Sequence, residues 1–435
     1  MAEESRRQSA TTEGRVHIVG AGLAGLAAAL SLTRAGYQVS LHEAAGQAGG
    51  RCRSYYDERL ERQVDNGNHL ILACNSATLA YAREVGSLDT LSGPPEATFP
   101  FFDLEANKRW VARINKGRVP WWLLSGKRRV PGTWPWQYLE LFSLLRAAKA
   151  EDDLPLDRWM RPRGRVWEQL WAPLCISALN TEPSAASARL MGNLLRQIFA
   201  RGGAGARPMV ARMGLSAAFV DPALEELQQR GADIHLNDRL RALQFDDMRV
   251  TGLEFGDRVV DLGAHERLVL AVPARHAAAL LPGLVVPRES RPIVNVHMRL
   301  PHRVRLPEGI PFVGVSGGYT QWLFVNEDVA SATVSAAVDL VDEPAPDIAR
   351  LIWSETAKVL SLDPDYRPPI RVVKERRATF AQTPAEVRRR AGTYTAWPNL
   401  VLAGDWTNTG LPASIEGAIR SGRAAASAVL RGPAN

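Results

Sequence analysis

Three stretches of this chain predict an α/β fold built on a parallel sheet of the Rossmann type. Residues 15–43 read as strand, glycine turn, helix and second strand. Arg267–Pro273 reads as a further buried strand, ended by its proline, and Leu400–Trp406 as another that ends in glycine and an acid before a helix begins. A chain of 435 residues can hold two or three domains, and 46% hydrophobic with 23% charged residues is ordinary for a folded protein.

Val16, Ile18 and Val19 form the β-branched run of a strand buried in a parallel sheet. Gly20, Gly22 and Gly25 then satisfy G-x-G-x-x-G where strand passes into helix. Gly20 makes the turn, Gly22 lets a pyrophosphate approach the backbone, and Gly25 lets the helix pack closely on the strand. The helix N-terminus offers free N–H groups and the positive end of its dipole to phosphate. Leu26, Leu30 and Leu32 cover the sheet before Gly36 ends the helix. Val39 and Leu41 lead to Glu43, eighteen positions after Gly25, where a carboxylate grips both ribose hydroxyls and argues against a 2′-phosphate. By itself the glycine pattern is weak; strand, helix, second strand and acid in register make it a nucleotide site rather than a bare βα turn.

The net charge of +7 matters less than its distribution. No run approaches the roughly 18 apolar residues of a membrane span. Met1–Thr12 is polar and reads as disordered, and the Arg6-Arg7 pair lacks the apolar core of an export signal. Cys52, Cys74 and Cys175 are odd in number and lack metal-type spacing, which suits reduced cytosolic thiols.

After Glu43, Gly46, Gly49 and Gly50 suit a loop passing over a cofactor, and Arg51 a bidentate phosphate clamp. Asp65-Asn66-Gly67 is a turn signal, and His69 beside it is either structural or catalytic. From Lys108 to Lys149 basic residues face a single acid, Glu140, and Trp110, Trp121, Trp122, Trp134 and Trp136 are interleaved. Proline and aliphatics break any nucleic-acid module signature here, so nucleic acid is excluded as the partner. Interfacial tryptophan with snorkelling lysine and arginine fits a membrane surface, with a domain cap whose tryptophans are core as the other reading.

Trp159–Phe199 reads as helical, with Glu168 and Asn180 among apolar positions; a carboxyl so placed would pair or have a raised pKa. Gly202–Gly205 reads as a hinge or loop tip. A helix over 217–230, the strand Asp233–Leu236 and a hairpin of 239–245 with 249–255 follow. Alternating segments 293–300, 322–325, 333–338 and 370–376 predict an antiparallel sheet that walls a pocket. Past Leu402, Asp405 is placed to bond a sugar or ribityl hydroxyl, and the helix beginning near Pro412–Ser414 brings its positive end to a bound ring.

Taken together, VGAGLAGL, the following GGR, LVLAV and LAGDWTNTGLPASIEGAIRSG resemble the FAD-dependent amine oxidase and phytoene desaturase superfamily. Within it the chain is similar to the squalene-associated FAD-dependent desaturases, the hydroxysqualene dehydroxylases. DNGNHLIL (65–72), LWAPLCISALNT (170–181), ASARL (186–190), GLSAAFVDPA (214–223), TQWLF (320–324) and 375–380 carry that likeness, which covers nearly the whole chain past Gly14. The family has a glutamine where this chain has Asn68.

The resemblance implies a discontinuous Rossmann-type FAD-binding domain, 14–85, 207–275 and 396–435, and an inserted α+β substrate domain, 86–206 and 276–395. The tryptophan-rich basic region 108–149 would face a membrane. Gly20, Gly22, Ala24, Gly25, Glu43, Gly50, Arg51, Gly404, Asp405, Ser414 and Ile415 would line FAD, and the backbone near Leu240 would meet its adenine. The implied reaction is reductive removal of an allylic hydroxyl from hydroxysqualene to give squalene in hopanoid biosynthesis. It calls for an acid within reach of the leaving oxygen, with His69, Glu168 and Glu375 as candidates, and for aromatic faces such as Trp322 or Trp406 to stabilise an allylic cation. It also calls for a long apolar tunnel and for an electron donor that no motif specifies. The implied location is cytoplasmic, peripheral to the inner membrane. A carotenoid or polyprenoid desaturase is the alternative, an amine oxidase with an aromatic cage comes next, and a prenyl carrier without flavin is the non-enzymatic reading.

Overall fold

A computed structural model describes residues 14–200 and 202–432; the polar segment before Gly14 lies outside them. Its first layer is a five-stranded parallel sheet of spatial order 233–235, 38–42, 15–19, 267–270, 400–402. Three separate stretches of chain thus meet in one sheet. Val16, Ile18, Leu268, Val269 and Leu270 are all buried, as expected of strands covered on both faces. The helix Leu23–Arg34 is rich in alanine, so the closing helix Ile415–Arg431 can lie directly on it. A Cβ on Gly422 would stand 2.1 Å from the Ala24 carbonyl oxygen, which is why glycine sits at that contact.

The second layer is a seven-stranded sheet of order 370–380, 290–299, 329–335, 322–326, 312–316, 97–103, 108–114. Its pairings are antiparallel except that of 312–316 with 97–103. The helix Ala345–Leu360 covers one face, burying Ile348 and Ile352 against Val294, Val296 and Val334. The four alternating segments are strands of this sheet, and three more strands join them. Lys108–Ile114, read only as the start of a basic stretch, is the edge strand.

A helical cap stands over the other face, with helices Leu141–Ala147, Ala172–Leu179 and Ala188–Phe199 around buried Leu144, Cys175, Leu179 and Met191. The helical stretch expected over 159–199 is interrupted twice. Residues 167–171 widen into a π turn directly before Pro173, whose missing N–H removes an ordinary helical bond. The same happens at 216–220 before Pro222. Asn180 then ends its helix at φ 47°, a conformation asparagine tolerates. Its side chain ties cap to sheet: Oδ1 accepts from Ala336 N at 2.6 Å, and Nδ2 donates to Arg291 O and Thr379 Oγ1.

Gly202–Gly205 is not a loop tip. It forms a buried 3-10 turn in which a Cβ on Gly203 would lie 2.0 Å from Asn115 O, so the glycines serve close packing. No disulfide joins Cys52, Cys74 or Cys175.

A candidate dinucleotide and apolar-chain site

One cavity of 1560 Å³ runs from the ends of the parallel strands to the space between the seven-stranded sheet and the helical cap. At the strand end, the three glycines each answer a separate constraint. Gly20 takes φ 104° with Ala271 O against it, and a Cβ on Gly25 would overlap the Gly20 carbonyl oxygen at 1.8 Å. Gly22 has nothing within 4 Å of a Cβ and opens onto the cavity ahead of the helix N-terminus, with Ala24 beside it. That leaves a backbone cradle for phosphate.

Glu43 is pre-set by its own backbone surroundings: Oε2 accepts from Ala21 N at 2.8 Å and Oε1 from Ala45 N at 2.9 Å. Both oxygens keep lone pairs for a diol. Leu240 lines the same end from the strand 240–245. Gly50 and Arg51 follow. The Arg51 guanidinium donates to Asp405 Oδ1 at 2.6 Å and to the Ala378 carbonyl, and Asp405 foremost holds its pKa above the ordinary arginine value. Gly404, Ser414 and Ile415 complete the wall, with Ser414 capping the last helix by accepting from Gly417 N. These groups fit a dinucleotide whose ring lies at the N-terminus of that helix.

Arg390 holds this wall from behind. It is buried, and its guanidinium donates to the carbonyls of Asp405, Trp406, Thr407 and Leu411 and to Thr409 Oγ1. Burial brings its pKa down to about 10, with Asp405 opposing. Sequence reasoning missed it, because Arg388-Arg389-Arg390 reads as an exposed basic run.

Of the other predicted residues, His69, Glu375, Trp322 and Trp406 line the cavity. His69 Nδ1 lies 3.0 Å from Gly67 O, the geometry of an Nδ1–H donor that leaves Nε2 to face other groups. Burial foremost, with Arg51 contributing, lowers the His69 pKa against the pull of Asp65. Glu375 sits near enough to Arg51 to strengthen its charge. Trp406 spends its indole N–H on Val272 O and packs beneath Gly404. Glu168 is a correction. It is exposed and does not line the cavity; the π turn presents Gln169 instead, bonded to Asp103.

The tryptophans of 108–149 divide. Trp110 stacks on Phe101 and Trp122 packs on Tyr138, both in the core. Trp121, Trp134 and Trp136 are 64%, 58% and 61% exposed, beside exposed Leu124, Leu139 and Phe142. Leu139, Phe142 and Arg118 also line the cavity, so this surface reaches its mouth. Arg129 is buried on Thr133 O and leaves the basic surface to its neighbours. Among the described residues no helix is long and apolar enough to cross a membrane, and no cluster of three metal-ligating side chains occurs.

The profile of the flavin containing amine oxidoreductases matches residues 23–430. A hydroxysqualene dehydroxylase of Rhodopseudomonas palustris is 46% identical over 417 residues, covering 95% of this chain and 98% of its own. One from Sinorhizobium fredii is 42% identical over 418 residues, with 95% and 98% covered. Among solved structures, wild-type putrescine oxidase bound to putrescine superposes with a TM-score of 0.66 at 16% identity, covering 97% of this chain and 100% of that one, a likeness of fold.

Proposed function

This chain belongs to the flavin containing amine oxidoreductase family, and from that footing we propose that it removes the hydroxyl of hydroxysqualene reductively, giving squalene. The observation that carries the reading is that the dinucleotide cradle and a deep apolar chamber are one cavity. Its volume exceeds the roughly 300–1,000 Å³ of ordinary ligand pockets, as a dinucleotide and a long isoprenoid together require. FAD is the cofactor, and when bound and reduced it supplies the hydride. Residues 14–85, 207–275 and 396–435 make up its domain, with 86–206 and 276–395 holding the substrate.

The chain's own residues do the rest. Glu43 and the Gly20–Gly25 turn bind the adenosine and diphosphate, while Arg51, Asp405 and the helix at Ile415 fix the ring. Phe99, Phe101, Trp322 and Phe324 exclude water and face the carbon that becomes electron-poor as the C–O bond breaks. Protonated on both ring nitrogens, with Nδ1–H held by Gly67 O, His69 gives the leaving oxygen its Nε2 proton and is left neutral; its lowered pKa makes that proton an easy one to give. The exposed tryptophans and the basic residues around them dock on a lipid surface, so that substrate enters from, and product returns to, the bilayer. Mixing photoreduced protein with hydroxysqualene without oxygen should reoxidise the flavin and yield one squalene per flavin. A flavin that stays reduced would overturn the assignment.

A further inference from the structure

Strand register brings Asn295, Thr333, Trp322, Gly314 and Phe101 into one transverse row on the cavity face of the seven-stranded sheet. The row changes character in the middle. Asn295 and Thr333 are polar and joined, Thr333 Oγ1 donating to Asn295 Oδ1 at 3.0 Å. Trp322 and Phe101 are aromatic, with ring centroids 6.0 Å apart, and Gly314 leaves the space that the Phe101 ring fills. Of the flanking residues, Ser335 adds to the polar side and Phe324 to the aromatic side, while Ile293 opposite Ser335 is apolar.

Asn68 lies across this seam. Its Nδ2 donates to Thr333 Oγ1 at 3.1 Å and to Ser331 O at 3.4 Å. Both amide hydrogens are therefore used, and Oδ1 has no partner among the described residues. The Thr333 proton is spent on Asn295, while Asn295 Nδ2 is anchored on Asn66 O. The seam thus presents one unfilled acceptor, Asn68 Oδ1, oriented by the bond from its Nδ2 to Thr333 Oγ1, beside the aromatic half of the row. On the other side, Trp322 has its indole N–H tied to Ser177 Oγ at 2.9 Å, which fixes the ring.

We propose that Asn68 and Thr333 are the residues that select an allylic alcohol over the corresponding hydrocarbon, seating its hydroxyl at the seam and its allylic carbons over Trp322. This rests on the dehydroxylase reading. A hydroxyl satisfies the seam by giving its one proton to Asn68 Oδ1, which Thr333 holds in place through Nδ2, whereas a hydrocarbon displaces water and leaves that oxygen unpaired. Seating the oxygen on the polar side also aims the developing positive charge at the aromatic side, so binding and bond cleavage share one orientation.

The test titrates hydroxysqualene and squalene into FAD-loaded protein in detergent micelles, following the flavin spectrum. Wild type is expected to bind the alcohol about tenfold or more tighter than the hydrocarbon. Thr333→Val and Asn68→Leu should each lower that ratio about fivefold or more with flavin content unchanged, while Asn68→Gln, which keeps the carbonyl, should retain most of it. The ratio compares two ligands on one protein, so a general loss of packing does not mimic the result. Ratios within twofold of wild type in both Thr333→Val and Asn68→Leu would overturn the proposal; should Thr333→Val not fold, Asn68→Leu decides. Failure of wild type to turn over hydroxysqualene would instead overturn the functional reading.

Discussion

Arg51 and Asp405 are 354 positions apart in the chain and 2.6 Å apart in space. The pair joins the glycine loop after the second strand to the loop after the last one, so each half of the cavity wall braces the other. Charge-assisted hydrogen bonds of this kind contribute about 1.5–3 kcal/mol. Arg51→Ala should therefore weaken FAD binding roughly ten- to a hundredfold, and Asp405→Asn less, since the amide oxygen still accepts. Calorimetric titration of apoprotein with FAD measures both; unchanged affinity in Arg51→Ala would contradict the pairing's role.

Arg390 acts on the same wall without touching the cavity. Its five hydrogen bonds hold four carbonyls and the Thr409 hydroxyl of the 405–411 loop, and without them those carbonyls would be buried without this donor. Arg390→Gln can replace at most two of these donors and should cost about 2–4 kcal/mol of stability. Arg390→Lys keeps the charge but not the planar fork, and should fall between. Urea unfolding of the apoprotein gives the loss directly. If both variants bind FAD normally, the loop is held by other contacts.

The buried histidines make folding acid-sensitive. His42 and His297 are almost wholly enclosed, His42 against Asp238 and His297 against Ser331, and burial brings each pKa down to about 4. Unfolded, they take up a proton near pH 6.5, so the unfolded state binds more protons over the window between 6.5 and 4. Stability is full above 6.5 and falls as pH drops through that window. At pH 5 the loss is about 2 kcal/mol for each histidine. Urea midpoints at pH 7.5 and 5.0 should show it, and His297→Asn should remove about 2 kcal/mol of the loss at pH 5.

What the sequence made legible was local. The glycine turn and the acid after the second strand lie within thirty residues of each other, each period-2 run is a single short segment, and short-range chemistry determines each. The polar–aromatic row was not legible. Alternation tells which residues of a strand share a face, but Asn295, Thr333 and Trp322 become neighbours only through the pairing of three strands. Glu168 was misplaced for a related reason. A 3.6-residue period put it among apolar residues, and the π turn ahead of Pro173 rotated it to the surface. Arg390 was hidden because its partners are backbone carbonyls, which leave no mark in side-chain composition.

The exposed aromatic surface at the cavity mouth gives the last prediction. Trp134 and Trp136 stack at 5.1 Å, and Trp121, Leu124 and Phe142 add apolar side chains left exposed among the described residues. Lys127, Arg128, Arg146 and Lys149 come from the same stretch and suit anionic headgroups. Moving a tryptophan from water into the interface contributes roughly 1.5 kcal/mol, so Trp121→Glu with Trp136→Glu should lower partition into vesicles of mixed phosphatidylglycerol and phosphatidylcholine about a hundredfold. Raising salt should weaken wild-type binding without abolishing it, because only the basic component is screened. Turnover of hydroxysqualene in detergent should be retained in the double variant, whereas turnover of the same substrate held in vesicles should fall with the partition. Equal sedimentation of variant and wild type with vesicles would show that the lipid contact lies elsewhere on the surface.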